Sequence, residues 1–173
     1  KDEGTDLMKQ IAAAVREGAN AYLKRQYTVV AIFFGVAFII LWLLVWKGYL
    51  ATPVPFAFLT GGFFSGLSGF IGMKMATNSS SRTANAARQS LNGGLRVAFS
   101  SGAIMGLVVV GLGLLDLSIW YYILKFIYRD YVLADKIRII TSAMLTFELG
   151  ASSMTLFARV GGGIFTKAAD VGA

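Results

Sequence analysis

Four long stretches of apolar side chains constrain the fold of this chain more than any other feature of its sequence. They cover residues 27–46, 54–76, 97–119 and 138–160. Each is close to the length of about 20 residues with which a helix crosses the core of a bilayer. A backbone in lipid must satisfy its own hydrogen bonds, so each stretch is expected to be a helix. The sequence therefore predicts an all-α fold, a polytopic transmembrane helix bundle with four spanning helices.

The composition supports this class of protein. The chain is 56% hydrophobic and only 14% charged, with a mean hydropathy of +0.66, and a soluble domain needs more polar surface than that. Residues 5–26 differ from the apolar stretches, because their apolar side chains recur at helical spacing. This spacing predicts an N-terminal amphipathic helix, with Thr5 or Asp6 at its start. We predict a single multi-pass membrane domain over 1–173, with membrane lipid as its surroundings.

The distribution of basic residues predicts the orientation of the bundle. The spans divide the 16 lysines and arginines between two sides of the membrane. One side holds both termini and the connection over residues 77–96. Eleven basic residues belong to that side: Lys1, Lys9, Arg16, Lys24, Arg25, Lys74, Arg82, Arg88, Arg96, Arg159 and Lys167. Five belong to the other: Lys47, Lys125, Arg129, Lys136 and Arg138. The positive-inside rule therefore places both ends of the chain in the cytoplasm.

The residue types that are missing exclude several kinds of chemistry. The chain has no cysteine and no histidine, which excludes thiolate nucleophiles, Cys/His zinc sites and a Ser-His-Asp triad within it. A metal would have to be a hard cation bound by oxygen, which favours Mg²⁺. The net charge of +7 does not indicate nucleic-acid binding, because the basic residues lie at the ends of apolar segments and not on a soluble face.

Small residues at every fourth position predict close helix packing. The pairs are Gly62/Gly66, Ser65/Gly69, Ser68/Gly72 and Gly102/Gly106. Such pairs let two helix backbones approach each other in lipid. The second apolar stretch is thus expected to have close neighbours.

The connections between the spans are predicted from polar and turn-forming residues. Residues 77–96 are expected to be a polar, basic connection with a turn at Asn92-Gly93-Gly94. Part of residues 80–91 could be helical, because Ala84, Ala86, Ala87 and Leu91 favour helix. Residues 120–137 are expected to be a loop or a surface helix. Asp116 falls near the far end of the third span, where it is expected to reach water.

The fourth apolar stretch carries a row of polar side chains. Glu148 and Arg159 lie eleven residues apart, so on a helix they differ by about 20° in direction and by about 16 Å in height. Ser152 and Thr155 lie between them on the same face. One interpretation is structural: a buried acid bonded to another helix, and an arginine that extends to the lipid headgroups. The other is an ion or proton pathway, because ionisable groups in a membrane are usually functional.

The segment that follows Arg159 combines three glycines with a cation and a carboxylate. Lys167 and Asp170 share one face if the helix continues through the glycines. An ammonium can bind phosphate oxygens, and a carboxylate can bind the Mg²⁺ that bridges them. The order of residues is not that of a Walker A loop. An exposed salt bridge within the helix explains the same spacing, so the spacing alone leaves both interpretations open.

Residues 159–173, RVGGGIFTKAADVGA, resemble the signature of the membrane-bound, ion-translocating pyrophosphatases. These enzymes are also called proton- or sodium-pumping inorganic pyrophosphatases. Weaker similarities cover residues 17–23, 72–77 and 151–154. The resemblance implies hydrolysis of cytoplasmic magnesium pyrophosphate coupled to the pumping of a cation across the membrane. It also implies inorganic pyrophosphate as substrate, Mg²⁺ as cofactor with K⁺ or Na⁺ as further candidates, and a homodimer.

The same resemblance assigns roles to individual residues. Lys167 matches the lysine that contacts pyrophosphate, and Asp170 a carboxylate that binds Mg²⁺. Arg159 matches the arginine of the ionic gate between the hydrolytic centre and the exit channel. The family commonly carries its gate glutamate on the following helix, whereas some proton-pumping members resemble this chain in placing it with the arginine. Glu148 therefore favours protons over sodium.

Members of this family are much longer, with many more spans. The chain thus resembles an early part of such a protein, and alone it is expected to be inactive because other catalytic residues lie elsewhere. The alternative to an enzyme is a transporter subunit or packing bundle, in which Glu148 and Arg159 line a pathway while Lys167 and Asp170 are merely solvated.

Overall fold

The structure is a computed structural model that describes residues 2–172, without the side chains of residues 169 and 172. It consists of four long α-helices, which are α1 (Asp6–Trp46), α2 (Pro53–Gln89), α3 (Leu91–Ile127) and α4 (Leu133–Gly172). All four are long and apolar enough to cross a membrane. Each contains one predicted span, and the predicted all-α bundle with four spanning helices is confirmed.

Helix α1 joins two predicted segments into one continuous helix. The amphipathic segment forms its first part, and the first apolar stretch forms the rest. The Thr5 hydroxyl accepts a hydrogen bond from the Met8 amide at 3.4 Å, so Thr5 caps the start of the helix. Gly48 ends it with a positive φ of 78°, a conformation that glycine adopts at little cost. The Tyr49 and Gly48 amides donate to the carbonyls of Leu44 and Val45 at 3.0 and 2.9 Å, the bonding pattern of a Schellman C-cap.

Helix covers most of the predicted connection over residues 77–96, well beyond the part of 80–91 where helix was expected. Helix α2 begins at Pro53, where a fixed φ and a missing amide hydrogen suit the first helical position. It continues to Gln89. The break falls at Ser90, whose hydroxyl accepts from the Gly93 amide at 3.0 Å and caps α3. The turn predicted at Asn92-Gly93-Gly94 is therefore part of a helix. Helix α3 likewise runs on to Ile127, into the segment predicted to be a loop or a surface helix.

Chain contacts divide the structure into two units, each of which has its own packing. The larger comprises Gln26–Leu67 and the residues from Gly111 onward. Two apolar clusters form its core. The first contains Val30, Phe34, Phe58 and Met154. The second contains Ala57, Leu124, Ala143 and Phe147.

The other unit comprises the residues before Gln26 and Ser68–Val110. Its main polar contact is an ion-pair cluster around Glu3, whose carboxylate accepts hydrogen bonds from Arg16 at 3.0 Å and from Arg82 at 3.3 Å. The hydrogen bond from Arg16 lowers the pKa of Glu3 below its usual value of 4.5, and partial burial opposes that shift. The cluster therefore ties the segment before α1 to α1 and to the second half of α2.

Two of the predicted small residues lie close to the side chains of neighbouring helices in the larger unit. A side chain at Gly62 would meet the ring of Phe34, and one at Gly66 would contact Met154. Gly102 and Gly106 differ, because open space surrounds both among the described residues. The predicted close-packing role of that pair is thus not met by any described part of the chain. Most of α3 around them is apolar and exposed, as expected for a surface that faces lipid or further helices.

Candidate functional site

Helix α4 continues without a break through the triple glycine. It includes Arg159, the three glycines and Asp170, and the Thr166 hydroxyl donates to the Gly162 carbonyl one turn earlier at 3.0 Å. The condition under which Lys167 and Asp170 share a face is therefore fulfilled. Open space surrounds Gly162 and Gly163 among the described residues, so packing within this part of the chain does not account for these glycines.

Lys167 and Asp170 form an ion pair near the end of α4. The ammonium nitrogen lies 3.5 Å from the carboxylate oxygen Oδ2, and the two side chains are 84% and 60% exposed. An exposed pair of this kind stabilises a helix by only about 0.3–0.5 kcal/mol. The geometry suits both interpretations made from the sequence, because both groups are accessible to a ligand and also to water.

The continuous course of α4 places three charged side chains near one face. Glu148, Arg159 and Asp170 follow one another at intervals of eleven residues. Each interval rotates the direction by about 20° and advances about 16 Å along the helix axis. All three side chains are exposed, so within the described part of the chain they face outward. The predicted polar row thus exists as a face of α4 and extends to the Lys167–Asp170 pair.

Ser152 and Thr155 lie between the charged groups and line a shallow groove with Arg159. The groove has a volume of about 300 Å³ and is completed by Ala151 and Leu156. Thr155 donates to the Ala151 carbonyl at 2.9 Å, and its hydroxyl lies 3.4 Å from that of Ser65 on α2. Thr155 is therefore also a contact between two helices, a role that the sequence analysis did not assign to it.

Close packing against α2 fixes the direction of the polar face. A side chain at Gly150 would meet the backbone of Phe58. The Ser65 hydroxyl donates to the Ala151 carbonyl at 3.2 Å. Helix α1 is joined to the same part of α2 by Tyr27, whose hydroxyl donates to the Gly66 carbonyl at 2.6 Å. One side of α4 is thus held by α2, with Thr155 at the edge of that contact, and Glu148 and Arg159 stay exposed.

Asp116 is a polar side chain whose environment was predicted incorrectly. It was expected to reach water at the end of the third span. The structure buries it to 2% exposure in the larger unit, because α3 is longer than its apolar stretch and a neighbouring helix, α2, covers this turn. The sequence around Asp116 contains no signal that distinguishes a buried aspartate from an exposed one.

Four apolar helices with exposed apolar faces, together with a charged row on one of them, define an integral membrane protein of the multi-pass α-helical class. The family model described as "Inorganic H+ pyrophosphatase" matches residues 1–173. The chain belongs to this family of membrane-bound pyrophosphatases.

Proteins named as pyrophosphate-energized pumps are similar to this chain over its whole length. A protein of Bacteroides thetaiotaomicron named "Putative K(+)-stimulated pyrophosphate-energized sodium pump" is 60% identical over 177 residues, which cover 100% of this chain and 24% of the relative. Proteins named "K(+)-insensitive pyrophosphate-energized proton pump" are 41% identical in Caldanaerobacter subterraneus subsp. tengcongensis and 40% identical in Methanosarcina mazei. Both cover 100% of this chain, and 25% and 23% of the relatives. The chain thus spans about a quarter of the length of these curated relatives.

Proposed function

We propose that the complete protein hydrolyses inorganic pyrophosphate and uses the reaction to pump a cation across the membrane. The observation that carries this proposal is the uninterrupted course of α4 from Glu148 to Asp170. One continuous helix presents an accessible cation–carboxylate pair near its end and an acid and an arginine further along the same element. The names of the relatives support the same activity and weigh against a transporter subunit that lacks an enzymatic role.

Lys167 is proposed to bind pyrophosphate. Its side chain is 84% exposed, and the ammonium can turn from Asp170 toward phosphate oxygens, since a lysine side chain is flexible and carries three donors. A positive charge at this place would offset the negative charge that develops on the transferred phosphoryl group. The bridge to Asp170 is weak, so little free energy opposes the change of partner.

Asp170 is proposed to contribute a carboxylate ligand to Mg²⁺. Oxygen ligands suit this cation, which commonly binds to one or two carboxylates together with phosphate oxygens and water. Among the residues that the structure describes, no three acidic side chains form a metal-binding group, so Asp170 would supply one ligand of a larger set. Bound Mg²⁺ would neutralise the diphosphate and make the phosphorus easier to attack.

Arg159 and Glu148 are proposed to form part of the route of the cation, with Ser152 and Thr155 beside them. Arg159 lies about 16 Å along the axis from each of the two acids. A change of charge at Asp170 would therefore act on Arg159 through the same helix. By the positive-inside rule the Lys167–Asp170 end faces the cytoplasm, and we propose that pyrophosphate binds from that side, with both ends of the chain cytoplasmic.

The identity of the cation has two candidates. Glu148 on the same helix as Arg159 favours a proton, because a carboxyl group can bind and release one. Sodium is the second candidate, because the relative of higher identity, 60% against 40–41%, is named a sodium pump. Its name also includes stimulation by K⁺, which makes K⁺ an activator to test. Transport that requires added Na⁺ and persists with a proton uncoupler would establish sodium, whereas Na⁺-independent transport abolished by the uncoupler would establish protons.

A homodimer, expected from the resemblance, stays part of this proposal.

The experiment that tests the proposal compares two lysine variants of the full-length protein. Lys167→Ala and Lys9→Ala each remove an exposed ion pair between residues three apart, so they change helix stability to a similar small extent. Only Lys167→Ala is expected to weaken the binding of magnesium pyrophosphate and to abolish its hydrolysis. Binding and hydrolysis that are equal in the two variants would refute the role of Lys167.

A further inference from the structure

Among the ionisable side chains of the described residues, Asp116 is the most deeply buried. It lies on α3 with 2% exposure. Its carboxylate oxygen Oδ2 is buried and has no hydrogen-bond partner among the described residues. An acid enclosed in this way requires an explanation, because an unpaired buried polar atom costs about 1–3 kcal/mol and more if it is charged.

The neighbour of Asp116 is Thr60 on α2, whose hydroxyl lies within hydrogen-bonding reach of the carboxyl group. The Thr60 oxygen also accepts a hydrogen bond from the indole nitrogen of Trp120 at 2.7 Å. In addition it lies 3.2 Å from the Ala57 carbonyl, to which it can donate. Three groups therefore converge on one hydroxyl.

A count of hydrogens distinguishes the two protonation states of Asp116. A hydroxyl has one hydrogen to donate and two lone pairs that accept. An ionised Asp116 can only accept, so it must compete with the Ala57 carbonyl for the single hydrogen of Thr60. A protonated Asp116 can donate to Thr60 instead. Thr60 then accepts from Asp116 and Trp120 and donates to Ala57, which uses its full capacity.

The surroundings also favour the neutral form. The cluster that adjoins this network along α3 is apolar, with Leu124 and Ala57 fully buried. Tyr128 is the titratable side chain that packs against the cluster. No lysine or arginine of the described residues forms an ion pair with Asp116. An isolated carboxylate without an opposite charge in a low-dielectric region is expected to take up a proton.

We propose that Asp116 is a proton-binding site of the bundle, in which the resting protein holds a neutral carboxylic acid that donates its hydrogen to Thr60. A metal cation fits the site less well. Na⁺ would need several oxygen ligands, and here the indole N–H of Trp120 already occupies one lone pair of Thr60. This inference does not depend on the proposed pyrophosphatase activity, and it concerns a different part of the larger unit from the polar row of α4.

Infrared spectroscopy of the full-length protein at neutral pH tests the proposal. A protonated carboxyl group has a carbonyl-stretch band that is well separated from the bands of a carboxylate. The difference between wild type and Asp116→Asn is expected to show the loss of one such acid band. The matched control is Asp130→Asn, which removes an aspartate that is 85% exposed and paired with Arg129. It is expected to remove carboxylate bands and to leave the acid band in place.

Two further measurements test the proposal if Asp116→Asn does not fold, and they distinguish a bound proton from a bound Na⁺. In Thr60→Val, the acid band of Asp116 is expected to shift because its acceptor is gone, and Thr60→Ser is expected to restore it. Addition of Na⁺ to wild type is expected to leave the band unchanged. The proposal is overturned if Asp116→Asn removes carboxylate bands, if Thr60→Val leaves the acid band where it was, or if Na⁺ abolishes that band.

Discussion

Replacement of Gly150 by alanine tests how α4 is held against α2. A Cβ atom at this position would meet the Phe58 carbonyl oxygen, and it would lie 2.9 Å from the carbonyl carbon and 3.2 Å from the Gly62 amide nitrogen. These are backbone atoms, so no side-chain rotation can relieve the contact. The helices must move apart, and the hydrogen bond from Ser65 to Ala151 is expected to lengthen with them.

The expected size of the effect follows from three contributions. Overpacking in a core typically costs about 1–3 kcal/mol. A weakened hydrogen bond between membrane helices adds about 0.6 kcal/mol. Alanine in place of glycine stabilises the helix itself by about 1 kcal/mol, which offsets part of that loss. We therefore expect Gly150→Ala to lower the free energy of unfolding by about 0.6–2.6 kcal/mol.

The matched control is Gly35→Ala on α1, since open space surrounds Gly35 among the described residues. It is expected to leave the free energy of unfolding unchanged or to raise it by up to about 1 kcal/mol. The assay is chemical denaturation of the full-length protein in detergent, followed by circular dichroism. A Gly150→Ala protein as stable as Gly35→Ala would refute close contact between the backbones of α2 and α4 at this position.

Three other expected outcomes follow from the caps and the ion-pair cluster. Gly48→Ala forces a side chain into a left-handed conformation and is expected to cost about 1–2 kcal/mol in the same denaturation assay; an unchanged midpoint would contradict the C-cap. Ser90→Ala removes the cap of α3 and should cost about 0.5–2 kcal/mol, whereas Ser90→Asn should restore most of it. Because the pKa of Glu3 is lowered in the folded state, its contribution to stability is present above pH 4.5 and is lost as the pH falls through the lowered pKa. Proteolysis of the segment before α1 should therefore accelerate in acid, while Glu3→Gln should be cleaved rapidly at every pH; equal pH profiles would contradict the cluster.

The positions of the helices follow from the sequence, whereas their ends do not. Apolar length is enough to predict four helices because lipid leaves few other solutions for a backbone. An apolar stretch ends where the side chains become polar, whereas a helix ends at its capping residues. Ser90 ends α2 and caps α3, although the glycines that follow it look like a turn. Residues 77–89 stay helical because tertiary contacts of Arg82 and its neighbours stabilise them.

The polar face of α4 could be predicted from the sequence, whereas the burial of Asp116 could not. The spacing of Glu148, Arg159 and Asp170 depends only on the geometry of one helix. The burial of Asp116 depends on which side of α3 packs against α2, and four mostly apolar faces give no periodic signal that selects one. The partners of Thr155 depend likewise on α2.

The most direct test of the account records hydrolysis and transport in the same vesicles. Full-length protein with Glu148→Gln, reconstituted into liposomes, is compared with wild type after addition of magnesium pyrophosphate. If α4 joins a hydrolytic site near Lys167 and Asp170 to a cation route at Glu148, the variant should still hydrolyse pyrophosphate but transport far fewer ions per molecule hydrolysed. A variant that transports as many ions per pyrophosphate as wild type would contradict that claim.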